Sequence, residues 1–363
     1  MSCRRQVVTG LFALVLGAGA LAFVAGNGDS ARSLVGGLGS IDVTIALLGL
    51  ACSAMAIGNR GLLNRAAHRA VGLEAGVGAM TQTAAVGFAA QKLVKPAGAV
   101  SLAVFLRHGK RRGHEPGAVA AACLLTASAS FVALGFLLAA ALVVLALTGG
   151  LNGWWIAAAI AFAVYTLTLG PLALVLVRSR RAATWLWMRG QRILCRLPGR
   201  RRHVAPGAAF PAVVLEAVAV AKRRPDAVRD LLLHAVLSKL LGALALTAAV
   251  TAVGLPVDAA GALVIYATAL AASMLTIVPG GIGTVEASTA ALLIGAGATA
   301  GAAAVAVALF RLFDLWLPVI TGAAVARRDA RCERRLSAGE RATSTSTIEL
   351  ARIEHWAGAS THL

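Results

Sequence analysis

The sequence contains few charged residues: Asp, Glu, Lys and Arg make up only 13% of its 363 residues. Hydrophobic residues make up 59% of the chain, and the mean hydropathy is +0.81. No polar stretch is long enough to enclose a hydrophobic core of its own. This composition excludes a soluble globular domain and predicts an all-α fold, a polytopic bundle of transmembrane helices.

Residues that form catalytic and metal sites are also scarce or scattered. The five cysteines lie far apart and the seven histidines show no metal-ligand spacing, so we expect no disulfide and no metal site. No nucleotide-binding loop, Ser/His/Asp arrangement or pair of catalytic carboxylates stands out. These patterns predict no cofactor and no catalytic residue, and they favour a protein that is not an enzyme.

Basic residues outnumber acidic ones, 34 to 15, for a formal net charge of +19. The arginines flank apolar segments instead of forming a separate domain, so we expect membrane topology and no nucleic-acid partner. The apolar segments that are long enough to cross a membrane lie near residues 7–26, 41–58, 117–147, 152–177, 231–254 and 299–326.

Two further apolar stretches, 74–106 and 261–297, are interrupted by proline and glycine. If each formed ordinary spans, the basic cluster of residues 92–112 would lie outside, against the positive-inside rule. We therefore predict six full spans and two re-entrant hairpins that enter from opposite faces; eight ordinary spans are the alternative. Residues 1–327 then form one domain of the cytoplasmic membrane, and both chain termini are cytoplasmic.

Two polar segments lie outside the predicted bundle. The basic loop 178–204 is predicted to be cytoplasmic, as is a mobile tail over residues 328–363. By the same reasoning, Arg60 belongs to the basic cytoplasmic flank of the second span. Lys239 and His234 lie on an apolar helix, and snorkelling toward the cytoplasmic interface accounts for them most simply.

The second interrupted stretch contains Pro279, Gly280, Gly281, Gly283 and Glu286 within an apolar region. Proline and glycine destabilise a helix, and broken backbone at membrane depth is tolerated only beside protein or a water-filled cavity. A helix that starts after Gly283 would direct unpaired N–H groups into the membrane, which suits an anion such as a lipid phosphate. Glu286 either caps this helix or contacts a cationic headgroup, a proton or a buried arginine.

The first interrupted stretch contains a similar break at Pro96 and Gly98, with Lys92 and Lys95 beside it. A helix after this break would offer a second N-terminus to an anion. Residues 94–98 resemble residues 277–281, which suggests an inverted repeat. In transporters of that design, interrupted segments in the two halves mark the binding site.

Arg311 and Asp314 lie three residues apart near the middle of the last apolar segment. Ionisable groups at that depth usually face the interior of the bundle. They either neutralise each other as an ion pair on one helical face, or Arg311 contacts a phosphate or pairs with Glu286.

These motifs resemble the lysylphosphatidylglycerol synthase transmembrane region, or flippase-like integral membrane family, in its actinobacterial form. The resemblance covers roughly residues 7–327 and is carried by Lys95-Pro96-Ala97-Gly98, Arg107, the basic run 110–112, Pro279-Gly280-Gly281-Ile282-Gly283-Thr284-Val285-Glu286, Phe310-Arg311-Leu312 and Trp316-Leu317-Pro318. It implies a polytopic fold and a role in moving or presenting lipids. In fused members the region is taken to flip an aminoacylated phospholipid made by an attached synthase domain.

The sequence departs from this family in two respects. It has no segment long enough to be the synthase domain, so we expect no aminoacyl transfer by this chain alone. Many members also have an acidic residue just after the first Pro/Gly break, where this chain has Ala99.

The leading prediction is a lipid flippase or translocase-like protein that handles a phospholipid or a lipid-linked intermediate. Its partners would be membrane phospholipids and a separate cytosolic synthase or glycosyltransferase. One alternative is a non-transporting scaffold that docks such an enzyme through the loop 178–204, and another is a membrane-embedded transferase. The substrate-binding candidates are Lys92, Lys95, Pro96, Gly98, Pro279, Gly280, Gly281, Gly283, Glu286, Arg311 and Asp314.

Overall fold

A computed structural model describes residues 41–93, 97–147, 219–275 and 281–331, with a few isolated positions between 149 and 160. All regular structure in this part of the chain is helical, which confirms the predicted all-α bundle. Eight helices of ten or more residues lie within these described ranges: α1 Val43–Ala70, α2 Val77–Leu93, α3 Ala97–Arg111, α4 Pro116–Leu147, α5 Pro225–Ala252, α6 Ala259–Leu275, α7 Thr284–Gly295 and α8 Ala300–Arg331.

Four of these helices are long and apolar enough to cross a membrane: α1, α4, α5 and α8, with 28 to 32 residues each. They coincide with four of the six predicted spans. The other two predicted spans, 7–26 and 152–177, fall almost wholly outside the described residues, as does the loop 178–204. Helix α8 continues to Arg331, a few residues into the predicted tail, and the rest of that tail lies outside the described part.

Two helix ends differ from the sequence prediction, and both differences matter for the site. Helix α1 begins where the Asp42 side chain caps the N–H groups of Thr44 and Ile45. It then runs to Ala70 instead of ending near residue 58, because the glycines within it keep helical backbone angles and the first described glycine with a positive φ is Gly72. Helix α5 begins at Pro225, where proline is favoured in the first turn, rather than near residue 231.

The helices form two sets with the same order and nearly the same lengths. In the first set, α1 to α4 have 28, 17, 15 and 32 residues. In the second set, α5 to α8 have 28, 17, 12 and 32 residues. Each set is therefore a long helix, a pair of short helices and another long helix.

The two sets are related by an inversion, because their first helices pair along their whole length in opposite directions. The N–H of Asp42 donates to the carbonyl of Ala252, at 2.9 Å. The Asn59 side chain donates to the carbonyl of His234, at 2.8 Å, and Arg69 lies 3.5 Å from Asp230. Residue numbers rise along α1 as they fall along α5. Equivalent helices that are antiparallel require an approximate two-fold axis across them, which is an inverted repeat.

The register of this repeat differs from the one suggested by residues 94–98 and 277–281. Helix α3 begins at Ala97, directly after Pro96, so Gly98 lies in the first turn of a helix. Helix α7 begins only at Thr284, well beyond Pro279. The short sequence match therefore aligns positions that lie at different distances from the two helix starts.

The short helices of the first set fold back on each other as a hairpin. The Thr83 hydroxyl lies 3.0 Å from Nδ1 of His108, and Gly87 lies against Phe105, so α2 and α3 are antiparallel. Helix α2 also runs antiparallel to α8. Ala85 contacts Gly322, and Lys92 contacts Asp314. Helix α2 therefore starts beside the C-terminal end of α8 and ends near the middle of α8, and α3 returns toward the side where α2 began.

The short helices of the second set approach α8 from its other end. Helix α7 ends at Gly295, four residues before the N-cap Thr299 of α8, and its first turn contacts α8 through Glu286 and Arg311. Arg311 lies about 17 Å along a helix of about 48 Å, at 1.5 Å per residue. Described residues beside the tips of both hairpins therefore contact one spanning helix between about a third of its length and its middle. This is the geometry that re-entrant hairpins require, although their depth in a membrane stays a prediction.

Charge is distributed unequally between the two ends of the described bundle. The end with the C-termini of α1 and α8 carries many arginines, among them Arg65, Arg69 and Arg327. The other end, with the loops 253–258 and 296–299, carries Asp42 and Asp258 and no Lys or Arg among the described residues. By the positive-inside rule we expect the basic end to face the cytoplasm.

Helix packing depends on small residues where backbones approach closely. A Cβ added at Gly322 would lie 2.6 Å from the carbonyl oxygen of Ala85 and would also clash with Ala89. We expect Gly322→Ala to lower the free energy of unfolding by about 1–3 kcal/mol, because neither backbone can yield without moving α8 from the hairpin. Thermal unfolding in detergent measures the change.

Gly58→Ala is the matched control. Gly58 is exposed on α1, and no atom lies within 4 Å of an added Cβ. Since alanine has the higher helix propensity, this change should raise the free energy of unfolding by about 0.5–1 kcal/mol. Equal effects of the two substitutions would contradict the close packing of α8 on α2.

Candidate functional site

Two ion pairs join the hairpin tips to α8. The Lys92 ammonium lies 2.5 Å from Oδ2 of Asp314, and Nε of Arg311 donates to Oε1 of Glu286, at 2.6 Å. The two pairs are linked, because Nη1 of Arg311 lies 3.7 Å from the same oxygen of Asp314. We call these four residues the ion network. It connects the tip of each hairpin to the middle of one helix.

Glu286 has two of the roles that the sequence left open. Its Oε2 accepts from the N–H of Gly283, at 2.8 Å, so the side chain caps the start of α7. Its other oxygen accepts from Arg311. The backbone of Gly283 has a φ of +87°, which a residue with a Cβ rarely adopts. Glycine and glutamate at this spacing therefore build the turn that presents Glu286 to Arg311.

Asp314 lies in a distortion of α8. Residues Leu312–Trp316 form a π-helical turn, and such turns are rare and frequently occur at functional sites. The carbonyl of Phe313, within this turn, accepts from the hydroxyl of Ser53 on α1, at 2.6 Å. The closest cation to Asp314 is Lys92 of the hairpin and not Arg311 of its own helix. A self-contained ion pair within α8 is therefore not the main contact of Asp314.

A cavity of about 300 Å³ lies between the two sets of helices. Its walls come from seven of the eight helices, from α1 to α6 and α8, together with Gly281 of the second connection. The charged and polar lining residues are Arg60, Asn64, Gln91, Lys92, Ser101, Thr126, Ser130, Lys239, Tyr266, Ser273 and Asp314. A polar cavity inside an apolar bundle is the surrounding that interrupted membrane segments need.

Lys239 is buried in the wall of this cavity, with 7% of its surface exposed. It is the fifteenth of the 28 residues of α5, about 20 Å from either end at 1.5 Å per residue. Its burial in the cavity wall contradicts the predicted snorkelling, because a snorkelling side chain follows the outer surface of the bundle toward water. His234 also points inward, where its Nδ1 lies 2.7 Å from Oδ1 of Asn59.

Arg60 is a second cation of the cavity that the sequence analysis did not place there. It lies within α1, and its guanidinium stacks over the ring of Phe88 at 3.5 Å from the ring centroid, whereas its position on the cytoplasmic side stays a prediction. The ammonium of Lys92 lies 5.2 Å from the same ring. Phe88 therefore holds two cations at the cavity by cation–π contacts. The sequence around Arg60 contains Asn59, Asn64 and Arg65, and this polar pattern hid the continuation of α1.

Several site candidates cannot be placed, and others lie beside the cavity. Lys95, Pro96, Pro279 and Gly280 lie outside the described residues. Of the glycines, Gly281 lines the cavity with a φ of +63°, and Gly283 begins α7. Within the described ranges, no group of three or more Cys, His, Asp or Glu side chains is arranged to hold a metal ion.

The fold and site define a multi-pass helical membrane protein with an inverted repeat and a cation-lined central cavity. The chain belongs to the lysylphosphatidylglycerol synthase TM region family, whose sequence model matches residues 10–322. This confirms the resemblance seen in the motifs and places the chain among membrane proteins related to lipid handling. No curated protein matches the chain.

The pair between Lys92 and Asp314 should be energetically coupled. We expect a double-mutant cycle with Lys92→Met and Asp314→Asn to give a coupling free energy of about 1–3 kcal/mol, because each single change leaves the other charge without its partner in a low-dielectric site. Unfolding free energies of the four proteins in detergent give the value.

The exposed pair of Arg69 and Asp230, with N and O atoms 3.5 Å apart, is the control for this cycle. The same substitution types, Arg69→Met and Asp230→Asn, should give a coupling of about 0.5 kcal/mol or less, because solvent screens exposed charges. A coupling at Lys92 and Asp314 no larger than the control would show that the ion network does not hold the hairpin.

Proposed function

We propose that this chain is a flippase-like translocase, which moves a phospholipid or a lipid-linked intermediate across the cytoplasmic membrane. The observation that carries the proposal is the central cavity, where Arg60 and Lys239 stand inside an apolar bundle. Cavity cations that form no ion pair with a carboxylate suit an anionic ligand, and phosphate is the anion that membrane lipids provide. Membrane phospholipids are thus the proposed partners.

The size of the cavity supports a headgroup as its ligand. A volume of about 300 Å³ is at the lower limit of small-molecule pockets. A phosphate with a small substituent fits that space, whereas acyl chains do not and would remain in the surrounding bilayer. Arg60 offers several donors in a fixed plane, and Lys239 offers a point charge, so together they can hold different oxygens of one phosphate.

The inverted repeat supports a way to expose this cavity to either side. In transporters with inverted repeats, the binding site lies at the repeat interface, and one half rocks against the other around it. Here the cavity lies between the two sets of helices, and each hairpin reaches its centre from a different end. Movement of either hairpin relative to α8 would open the cavity toward one end only.

Arg311 has a positioning role in this proposal. Its side chain is 6% exposed and bonds to Glu286, and it is not among the residues that line the cavity. It therefore holds the second hairpin in place and does not bind the phosphate. The scaffold and transferase alternatives draw no support from a specific contact of the described residues.

Purified protein in liposomes should increase the rate at which an acyl-labelled fluorescent phospholipid becomes accessible to an external quencher. We expect Arg311→Gln to lower this rate at least tenfold, because Glu286 loses its partner and the hairpin tip loses its anchor; a tenfold change corresponds to about 1.4 kcal/mol. Quenching of the fluorescent lipid over time measures the rate.

Arg331→Gln makes the same chemical change at an exposed position of α8 and should leave the rate unchanged. Size-exclusion profiles and thermal unfolding establish that each variant is folded. If folded wild-type protein moves lipid no faster than protein-free liposomes, the proposed function is wrong. If the wild-type protein moves lipid and Arg311→Gln moves it at the same rate, the positioning role of Arg311 is wrong and the proposed function stands.

A further inference from the structure

The charges that line the cavity do not balance. Three cations, Arg60, Lys92 and Lys239, face it together with one carboxylate, that of Asp314. Lys92 and Asp314 pair with each other, and Arg311 and Glu286 form the second pair of the ion network. Among the described residues, Arg60 and Lys239 are therefore two further cations, and neither forms an ion pair with a carboxylate; Asp314 acts on both only at longer range.

Lys239 shows this imbalance most clearly. More than nine-tenths of the residue is buried, and it lines the cavity. No described residue forms a hydrogen bond or an ion pair with its ammonium. The charged groups that act on it electrostatically are Arg60, Lys92 and Asp314, two cations and one carboxylate. A buried ammonium without a partner is costly, and an anion in the cavity removes that cost.

The same cavity offers little to a cationic headgroup. An ammonium group needs carboxylate or carbonyl oxygens, and the only described carboxylate in the lining already accepts from Lys92. An ammonium in this space would also lie near Arg60 and Lys239. Like charges that are forced together in a low-dielectric site oppose binding.

We propose that the cavity selects lipids whose headgroup has a net negative charge, such as a phosphomonoester or an acidic phosphodiester, over zwitterionic lipids and over aminoacylated lipids. This inference rests on the proposed function and names the substrate class of the same cavity. A lysyl ester of phosphatidylglycerol carries two ammonium groups and one phosphate, so its headgroup is a net cation. The cavity has the wrong charge for that cargo.

A competition for binding tests the selectivity without transport. Delipidated protein is mixed with equal amounts of phosphatidic acid, phosphatidylglycerol, phosphatidylcholine and lysyl-phosphatidylglycerol, and the lipids that co-purify are measured by mass spectrometry. We expect the two acidic lipids to be enriched about tenfold over phosphatidylcholine, with the lysyl lipid the least enriched. Equal binding of all four, or enrichment of the lysyl lipid, would overturn the inference.

Variants of Lys239 connect this preference to the cavity. Lys239→Gln should lower the enrichment of acidic lipids about tenfold, whereas Lys239→Arg, which retains the charge, should preserve it. Lys239→Glu should shift the preference toward phosphatidylcholine and the lysyl lipid. Lys222→Gln, at an exposed lysine of the basic end, is the control that should change nothing. An unchanged preference in folded Lys239→Gln and Lys239→Glu would contradict the assignment.

Two further measurements separate the remaining outcomes. Inorganic phosphate is added without lipid. If it binds in a Lys239-dependent manner and no acidic lipid co-purifies, the site serves a free anion and the inference is wrong.

The same four headgroups are then compared in the liposome assay. Selective binding without movement would refute the proposed function alone, and movement of all headgroups at equal rates would refute the selectivity alone.

Discussion

The fold depends on the cost of placing charged side chains in the low-dielectric interior beside Arg311 and Asp314 of α8. An unpaired ion is costly there, and the pairs Lys92–Asp314 and Arg311–Glu286 offset that cost for each other. Their pairing requires two hairpin tips, from opposite ends of the bundle, to meet the middle of the same helix. The positions of the hairpins, and of the cavity between them, follow from that requirement. The π-helical turn at Asp314 marks the place where α8 departs from regular geometry to satisfy it.

The scaffold is nearly symmetric, but the charges on it are not. Asp314 is the fifteenth residue of α8, and the fifteenth residue of α4 is Ser130. Lys239 is the fifteenth residue of α5, and the same place in α1 is occupied by Ile57. An inverted repeat with repeated charges would offer two equivalent sites, one in each half. Each half instead contributes different charges, Arg60 and Lys92 from the first and Lys239 and Asp314 from the second, so the halves form a single site between them.

Sequence patterns located the elements better than they located the site. Apolar length identified α1, α4, α5 and α8, and the Pro/Gly breaks identified the hairpins, because both features reflect the requirement for satisfied backbone groups in lipid. The pairing of Glu286 with Arg311 was one of several alternatives that spacing alone could not separate. Arg60 was assigned to the cytoplasmic side because it follows the apolar segment 41–58, and Lys239 because snorkelling would bring its ammonium to the cytoplasmic interface. Their depth depends on where α1 and α5 end, and on Phe88 and the cavity, which only the tertiary arrangement places beside them.

The two ion pairs differ in one respect that connects the ligand to the hairpins. Lys92 and Asp314 line the cavity, whereas Arg311 and Glu286 do not. A phosphate bound to Arg60 and Lys239 competes with Asp314 for the ammonium of Lys92, since both anions need the same donor. It has no such effect on Glu286, which its own helix start and Arg311 both satisfy. A ligand shifts an equilibrium only through interactions that differ between two states, and here that difference acts on the first hairpin alone. Binding would therefore loosen one hairpin and leave the other fixed, which is the asymmetry that opening toward one side requires.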